Sequence, residues 1–192
     1  MQKKLLIGFG EIMARLCPQG HLRFRQTMPG NLNLTFAGAE ANVLVTNAIF
    51  GQPTRYATAL PDNPLAEACL GTLKGYGIDT SRVLRTTSGR LGLYFVECGA
   101  NQRPSQVVYD REGSAVSLTP PDAYDWPALF ENAGWLHISG ITPALSRTAA
   151  EASLAAVQHA KAAGCEVSCD LNFRKKLWKW KPGTNPKALA RE

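Results

Sequence analysis

Residues 135–170 read WLHISGITPALSRTAAEASLAAVQHAKAAGCEVSCD, and this stretch decides the fold class. Residues 135–140 form a short apolar run. An alanine-rich helical pattern follows from about Ser146 to Ala163, Gly164 ends it, and residues 165–170 form a second short run. A strand, a long helix and a strand in that order make a βαβ crossover, whose strands lie parallel in one sheet. Such strands are buried on both faces, so they read as continuous apolar runs and do not alternate.

The same rhythm opens the chain. KLLIGFG (residues 4–10) is a first strand. In GAEANVLVTNAIFG, Ala41, Leu44, Val45 and Ala48 fall at helical spacing, and Gly51 and Pro53 stop the helix. TRYATAL is a second strand. DNPLAEACLGTLKGYGID is a second helix, capped by Asp62 or Asn63, with Pro64 in its first turn and Gly75 or Gly77 at its end. Between these units the rhythm breaks. GLYFVE (92–97) and QVVYDR (106–111) are strands joined by a polar loop, which makes a hairpin. The expected architecture is α/β: a doubly wound, mostly parallel sheet with helices on both faces and a small β flap beside it. The last residues, KPGTNPKALARE, read as a loop leading into a helix.

Charge narrows the function classes. The net charge of +6 comes entirely from residues 171–192, which hold seven basic side chains and one acid; residues 1–170 are neutral. A protein that grips phosphate backbones spreads cations over a face of its fold, so we expect no nucleic-acid partner. No run approaches the ~18–20 apolar residues of a membrane span, and Glu11 interrupts the first apolar run too early for a signal peptide. Five cysteines, odd in number and without a CxxC pair, fit a reduced cytoplasmic protein with no metal site.

In an open parallel sheet, ligands bind beyond the carboxyl ends of the strands. Three segments are candidates. In FAGAEANV (36–43), Gly38 at a helix start gives a ligand access to backbone N–H groups, and Asn42 both donates and accepts. Alternatively this is an ordinary helix cap in which Gly38 serves the turn. In VVYDR, Tyr109 and Arg111 are two residues apart and share a strand face, with Tyr94 on the partner strand. Phenol beside guanidinium suits a ligand with hydroxyls and a carboxylate; the alternative pairs Arg111 with Asp110 or Glu112 in water. In DLNFRKKLWKWK (170–181), Asp170, Asn172 and Arg174 face one side if the chain stays extended. The alternatives are a charged strand end in water, or a stacking platform for nucleic acid built on the tryptophans. Leu177 and Trp178 read instead as core anchors.

The AGAEANV, GLYF, YDR, SGITPAL and DLNFR…LW segments, in this order, resemble the ribokinase-like (PfkB) sugar kinases. GHLRF (20–24) and SGITPALS (139–146) narrow the resemblance to the kinases of 2-keto-3-deoxygluconate. The resemblance implies transfer of the γ-phosphoryl of ATP, with Mg²⁺, to a sugar hydroxyl. It also implies a small β-sheet lid with strands from about 11–36 and 91–111. Gly38 and Asn42 would contact sugar hydroxyls, and Tyr94 and Tyr109 would line the lid. Arg111 and Arg174 would hold the keto-acid carboxylate or lie near the transferring phosphate, with Asp170 and Asn172 in support. Ala37 stands where the family usually has the first of two glycines, and its methyl crowds the approach to the sugar.

The family's catalytic aspartate lies in a GAGD-like turn, and an N-x-x-E stretch serves magnesium and phosphate. Neither occurs here. Residues 1–192 are therefore expected to be the N-terminal, substrate-binding part of one kinase domain. The base would lie beyond Glu192, and this chain alone would not bind ATP or Mg²⁺ tightly. The alternatives are a kinase of a neutral sugar such as fructose or ribose, and a non-catalytic sugar-binding remnant. A homo-oligomer formed through the lid is a further expectation.

Overall fold

A computed structural model describes residues 4–191. The chain runs through β1 (Leu5–Phe9), β2 (Met13–Cys17), the single turn α1 (Phe24–Thr27), β3 (Asn33–Ala37), α2 (Ala39–Ile49) and β4 (Thr54–Ala57). It continues through β5 (Ala59–Pro61), α3 (Pro64–Gly75), β6 (Leu84–Thr86), β7 (Gly92–Glu97) and β8 (Gln106–Asp110). The short helices α4 (Ala115–Leu118) and α5 (Trp126–Leu129) lead into β9 (Ala133–Ser139), α6 (Arg147–Ala162), β10 (Glu166–Asp170) and α7 (Pro186–Leu189).

The body is a four-stranded sheet in the order β10-β9-β1-β4, with every pair parallel. Alternate residues of β1 face opposite layers. Ile7 and Phe9 pack with Leu136 against Ala152, Ala156 and Ala160 of α6. Leu6 joins Leu44 of α2 and Ala66, Cys69, Leu70 and Leu73 of α3. The alanines of α6 recur every three or four residues, and their small side chains let the helix lie close on the sheet. Ser146 caps α6 by accepting from the Ala149 N–H at 2.9 Å, and Gly164 follows it at φ +73°. Asn63 caps α3 in the same way. Gly75 lies inside α3, and the left-handed residue beyond it is Gly77.

TRYATAL is not one strand. Its first part pairs with β1 in the body, whereas residues 59–61 pair with β6 in a separate two-stranded sheet. The break falls at Thr58, which is buried and whose carbonyl accepts from the Leu84 N–H.

A second four-stranded sheet, the lid sheet, has the order β3-β2-β7-β8. β7 and β8 form the expected antiparallel hairpin, β2 and β3 a second antiparallel pair, and β2 joins β7 in parallel. The chain passes between body and lid four times, at residues 10–12, 38, 87–91 and 111–114. After β10 the chain does not stay extended. Asn172 turns at φ +37° while its N–H donates to the Asp170 carboxylate at 3.0 Å. This turn removes the shared face expected for Asp170, Asn172 and Arg174. Beyond it, Trp178 is buried against Ala144 and Leu189, and the Trp180 indole donates to the Pro143 carbonyl at 3.1 Å. The tryptophans therefore anchor the segment and form no exposed platform. Among the described residues no helix is long and apolar enough to cross a membrane.

Candidate functional site

The connection leaving β1 leads to β4 on one side of it, while β9 leads to β10 on the other. The strand order thus reverses between β1 and β9, the position beyond whose carboxyl ends open α/β sheets bind ligands. Gly10 leaves β1 there, and Ser139 and Gly140 leave β9. Glu40, in the first turn of α2, is buried between these strand ends. Its Oε1 accepts from the Ser139 N–H at 2.9 Å, the Ser139 hydroxyl at 2.6 Å and the Thr142 hydroxyl at 3.4 Å. A Cβ on Gly10 would lie 2.2 Å from Oε2, so the carboxylate occupies the space that glycine leaves. Glu40 is 1% exposed. Burial pushes its carboxyl up to about 7, although the Ser139 and Thr142 hydrogen bonds oppose the shift.

Gly38 sits at the N-cap of α2 with φ −159°, an extended backbone open to any residue. Glycine is required there for another reason: a Cβ would meet the Glu11 carbonyl oxygen at 2.2 Å. Gly38 is thus where strand β3 re-enters the body against the strand that leaves it. Asn42 lies one turn on, exposed, and its N–H donates to the Gly38 carbonyl at 2.9 Å. Ala37 stands opposite Met13 in the lid register.

Strand register sets one face of the lid. Thr35, Arg15, Tyr94 and Tyr109 lie side by side across the four strands. The Tyr94 and Tyr109 rings stack at 5.9 Å with 27° between their planes, and the Arg111 guanidinium lies 5.5 Å from the Tyr109 ring centre. The shared face of Tyr109 and Arg111 is as their spacing requires. Arg111, however, pairs with neither Asp110 nor Glu112. Its Nη2 donates to the Glu11 carboxylate, while Asp110 pairs with Arg90. Both side chains of the Glu11–Arg111 pair are nearly enclosed, at 2% and 9% exposure. Burial raises the Glu11 carboxyl pKa, and the Arg111 charge opposes it. Glu11 Oε1 and Arg111 Nε remain buried without a hydrogen-bond partner among the described residues.

One chain of contacts therefore joins Gly38, Glu11, Arg111, Tyr109 and Tyr94. Asp170 and Asn172 are joined to each other at the end of β10, where the Asp170 carbonyl accepts from the Gly140 N–H at 2.8 Å. Arg174 is exposed beyond the Asn172 turn, and its guanidinium reaches the Phe173 carbonyl at 3.4 Å. Sequence reasoning missed Glu11, Glu40 and Arg15 as site residues. Glu11 had a signal, an acid directly after a strand-ending glycine. Glu40 has no such signal, since an acid in the first turn is the ordinary complement of a helix dipole. Among the described residues no three His, Cys, Asp or Glu side chains are grouped to hold a metal ion.

Residues 4–190 match the family model described as pfkB family carbohydrate kinase. The 2-dehydro-3-deoxygalactonokinase of Haloferax volcanii is 38% identical over 175 residues, covering 90% of this chain and 53% of that protein. The crystal structure of 2-dehydro-3-deoxygluconokinase from Thermotoga maritima superposes with a TM-score of 0.87 at 43% identity, over 91% of this chain and 53% of that one. Fructokinase from Xylella fastidiosa with bound ATP gives a TM-score of 0.82 at 26% identity, over 98% and 57%. The chain spans about half the length of these relatives. Body sheet, reversed strand order, crossing lid and sequence agree, and the chain belongs to the pfkB family of carbohydrate kinases.

Proposed function

We propose that this chain is the substrate-binding part of an ATP-dependent, cytoplasmic kinase acting on a 2-keto-3-deoxy sugar acid such as 2-keto-3-deoxygluconate. The observation that carries this reading is Arg111, a guanidinium on the lid beside two stacked tyrosines. Glu11 holds it through Nη2 and Nε is enclosed, so Nη1 is the group left for a ligand carboxylate. Gly38 and Asn42 meet the sugar hydroxyls at the α2 terminus, and Tyr94 and Tyr109 cover the carbon chain. Arg174 approaches from the β10 side, with Asp170 and Asn172 shaping its turn. ATP supplies the phosphoryl group in such a reaction. Residues 1–192 contain no GAGD-like turn, and we assign these side chains to binding and orienting the sugar. The exposed Leu34 and Val108 lie on the outer side of the lid, the surface an oligomer formed through the lid would cover.

Calorimetric binding to this chain tests the substrate class. Arg111→Ala should weaken binding of 2-keto-3-deoxygluconate by about 10- to 150-fold, the loss of one charge-assisted hydrogen bond. Binding of fructose should change little. The fructokinase likeness favours a neutral sugar as the second reading, and equal losses for acid and neutral sugars would support it over the first. Steady, sugar-dependent ADP release by this chain alone would overturn the assignment of catalysis to residues outside it.

A further inference from the structure

Cys17 ends β2 and Cys98 follows β7, and their Sγ atoms lie 3.4 Å apart. Both are free thiols on adjacent, parallel strands of the lid. A disulfide needs an S–S separation of about 2.05 Å, so the two sulfurs must close the remaining gap. The two thiols are unequal. Cys17 is 5% exposed, whereas Cys98 is half-buried. The Arg15 guanidinium donates to Cys98 Sγ at 3.6 Å. Burial raises the Cys17 thiol pKa. The arrangement is that of a more accessible thiol with a second thiol already in contact behind it.

We propose that Cys17 and Cys98 form a peroxide-sensitive modification site that closes into a disulfide across the lid. The Cys98 thiolate attacks one peroxide oxygen and the O–O bond breaks. Cys98 becomes a sulfenic acid, and the departing hydroxide takes a proton to become water. The Cys17 sulfur then attacks the Cys98 sulfur. The S–O bond breaks, the hydroxyl leaves as water with the Cys17 proton, and the S–S bond forms. Two thiols lose two electrons, and hydrogen peroxide is reduced to two waters. The product ties β2 to the far end of β7 and removes the acceptor that holds Arg15 beside Tyr94.

The other three cysteines are internal controls. Cys69 and Cys165 are buried, and Cys169 is exposed without a second thiol beside it. The experiment treats the purified chain with stoichiometric hydrogen peroxide, blocks remaining thiols with N-ethylmaleimide and maps peptides by mass spectrometry without reductant. The expected result is a peptide linked through Cys17 and Cys98, lost on treatment with dithiothreitol. In Cys17→Ser, Cys98 should stop at the sulfenic acid and be trapped by dimedone. Oxidation confined to Cys169, or Cys17 and Cys98 both recovered as maleimide adducts in the treated wild-type chain, would overturn the proposal. The wild-type map decides the matter even if a variant fails to fold.

Discussion

Replacing Glu40 with glutamine should change how stability responds to pH. The Glu40 carboxyl has an ordinary value of 4.5 and stands at about 7 in the fold, because burial beneath Gly10 and Ser139 disfavours its charge. Between those values the folded chain holds a proton that the unfolded chain has released. Stability from this group is therefore fully present below about 4.5 and is lost as pH rises through about 7. At about 1.4 kcal/mol per pKa unit, the loss amounts to about 3 kcal/mol, most of it between pH 5 and 8. Glutamine keeps an acceptor for Ser139 and Thr142 but cannot ionise. Its amide group adds a constant offset, and so the slope, not the offset, is the readout. Urea denaturation of both proteins at several pH values should show the variant gaining on wild type by about 3 kcal/mol toward alkaline pH. Parallel stability profiles would refute the idea that Glu40 is the group that titrates.

Gly38→Ala forces a methyl onto the Glu11 carbonyl and should lower stability by about 1–3 kcal/mol in urea denaturation. Trp178→Ala removes the centre of the small cluster with Ala144 and Leu189; hydrogen exchange should show protection lost near residues 142–145 and 186–190 and retained in β1. Asn172→Val places a β-branched residue at φ +37° and should cost about 1–2 kcal/mol in thermal or urea denaturation, whereas Asn172→Gly should be tolerated.

The body was legible because its strands are buried on both faces and its helices carry their own caps. β1, β9 and β10 read as apolar runs, and Ser146 and Gly164 bracket α6 as their chemistry dictates. The lid was harder. β8 read as a strand from QVVYDR, but β3 is exposed over most of its length, and periodicity alone marked no strand in the β2 and β3 region. Only the resemblance to a known family put strands there. Thr58 carries no breaking signal, since threonine suits a strand, and the split of TRYATAL depends on a carbonyl bond to distant Leu84. The two-residue spacing placed Tyr109 and Arg111 on one face but said nothing of Glu11, 100 positions earlier in the chain. The turn at Asn172 did have a local signal, because an aspartate readily accepts from the N–H two residues on.

The four passages between body and lid have a mechanical consequence. They run close together: Gly38 rests on the Glu11 carbonyl, the space above Gly92 is bounded by Glu11, Met13 and Arg111, and Arg90 bridges to Ser114. A sheet tethered by one strand can swivel in any direction about that strand. With four tethers along one seam, twisting or sliding stretches at least one of them, and bending about the seam is the soft movement that remains. The lid then behaves like a door on several pins. Altering any one pin changes how stiffly the door swings, but the axis stays where the other three hold it.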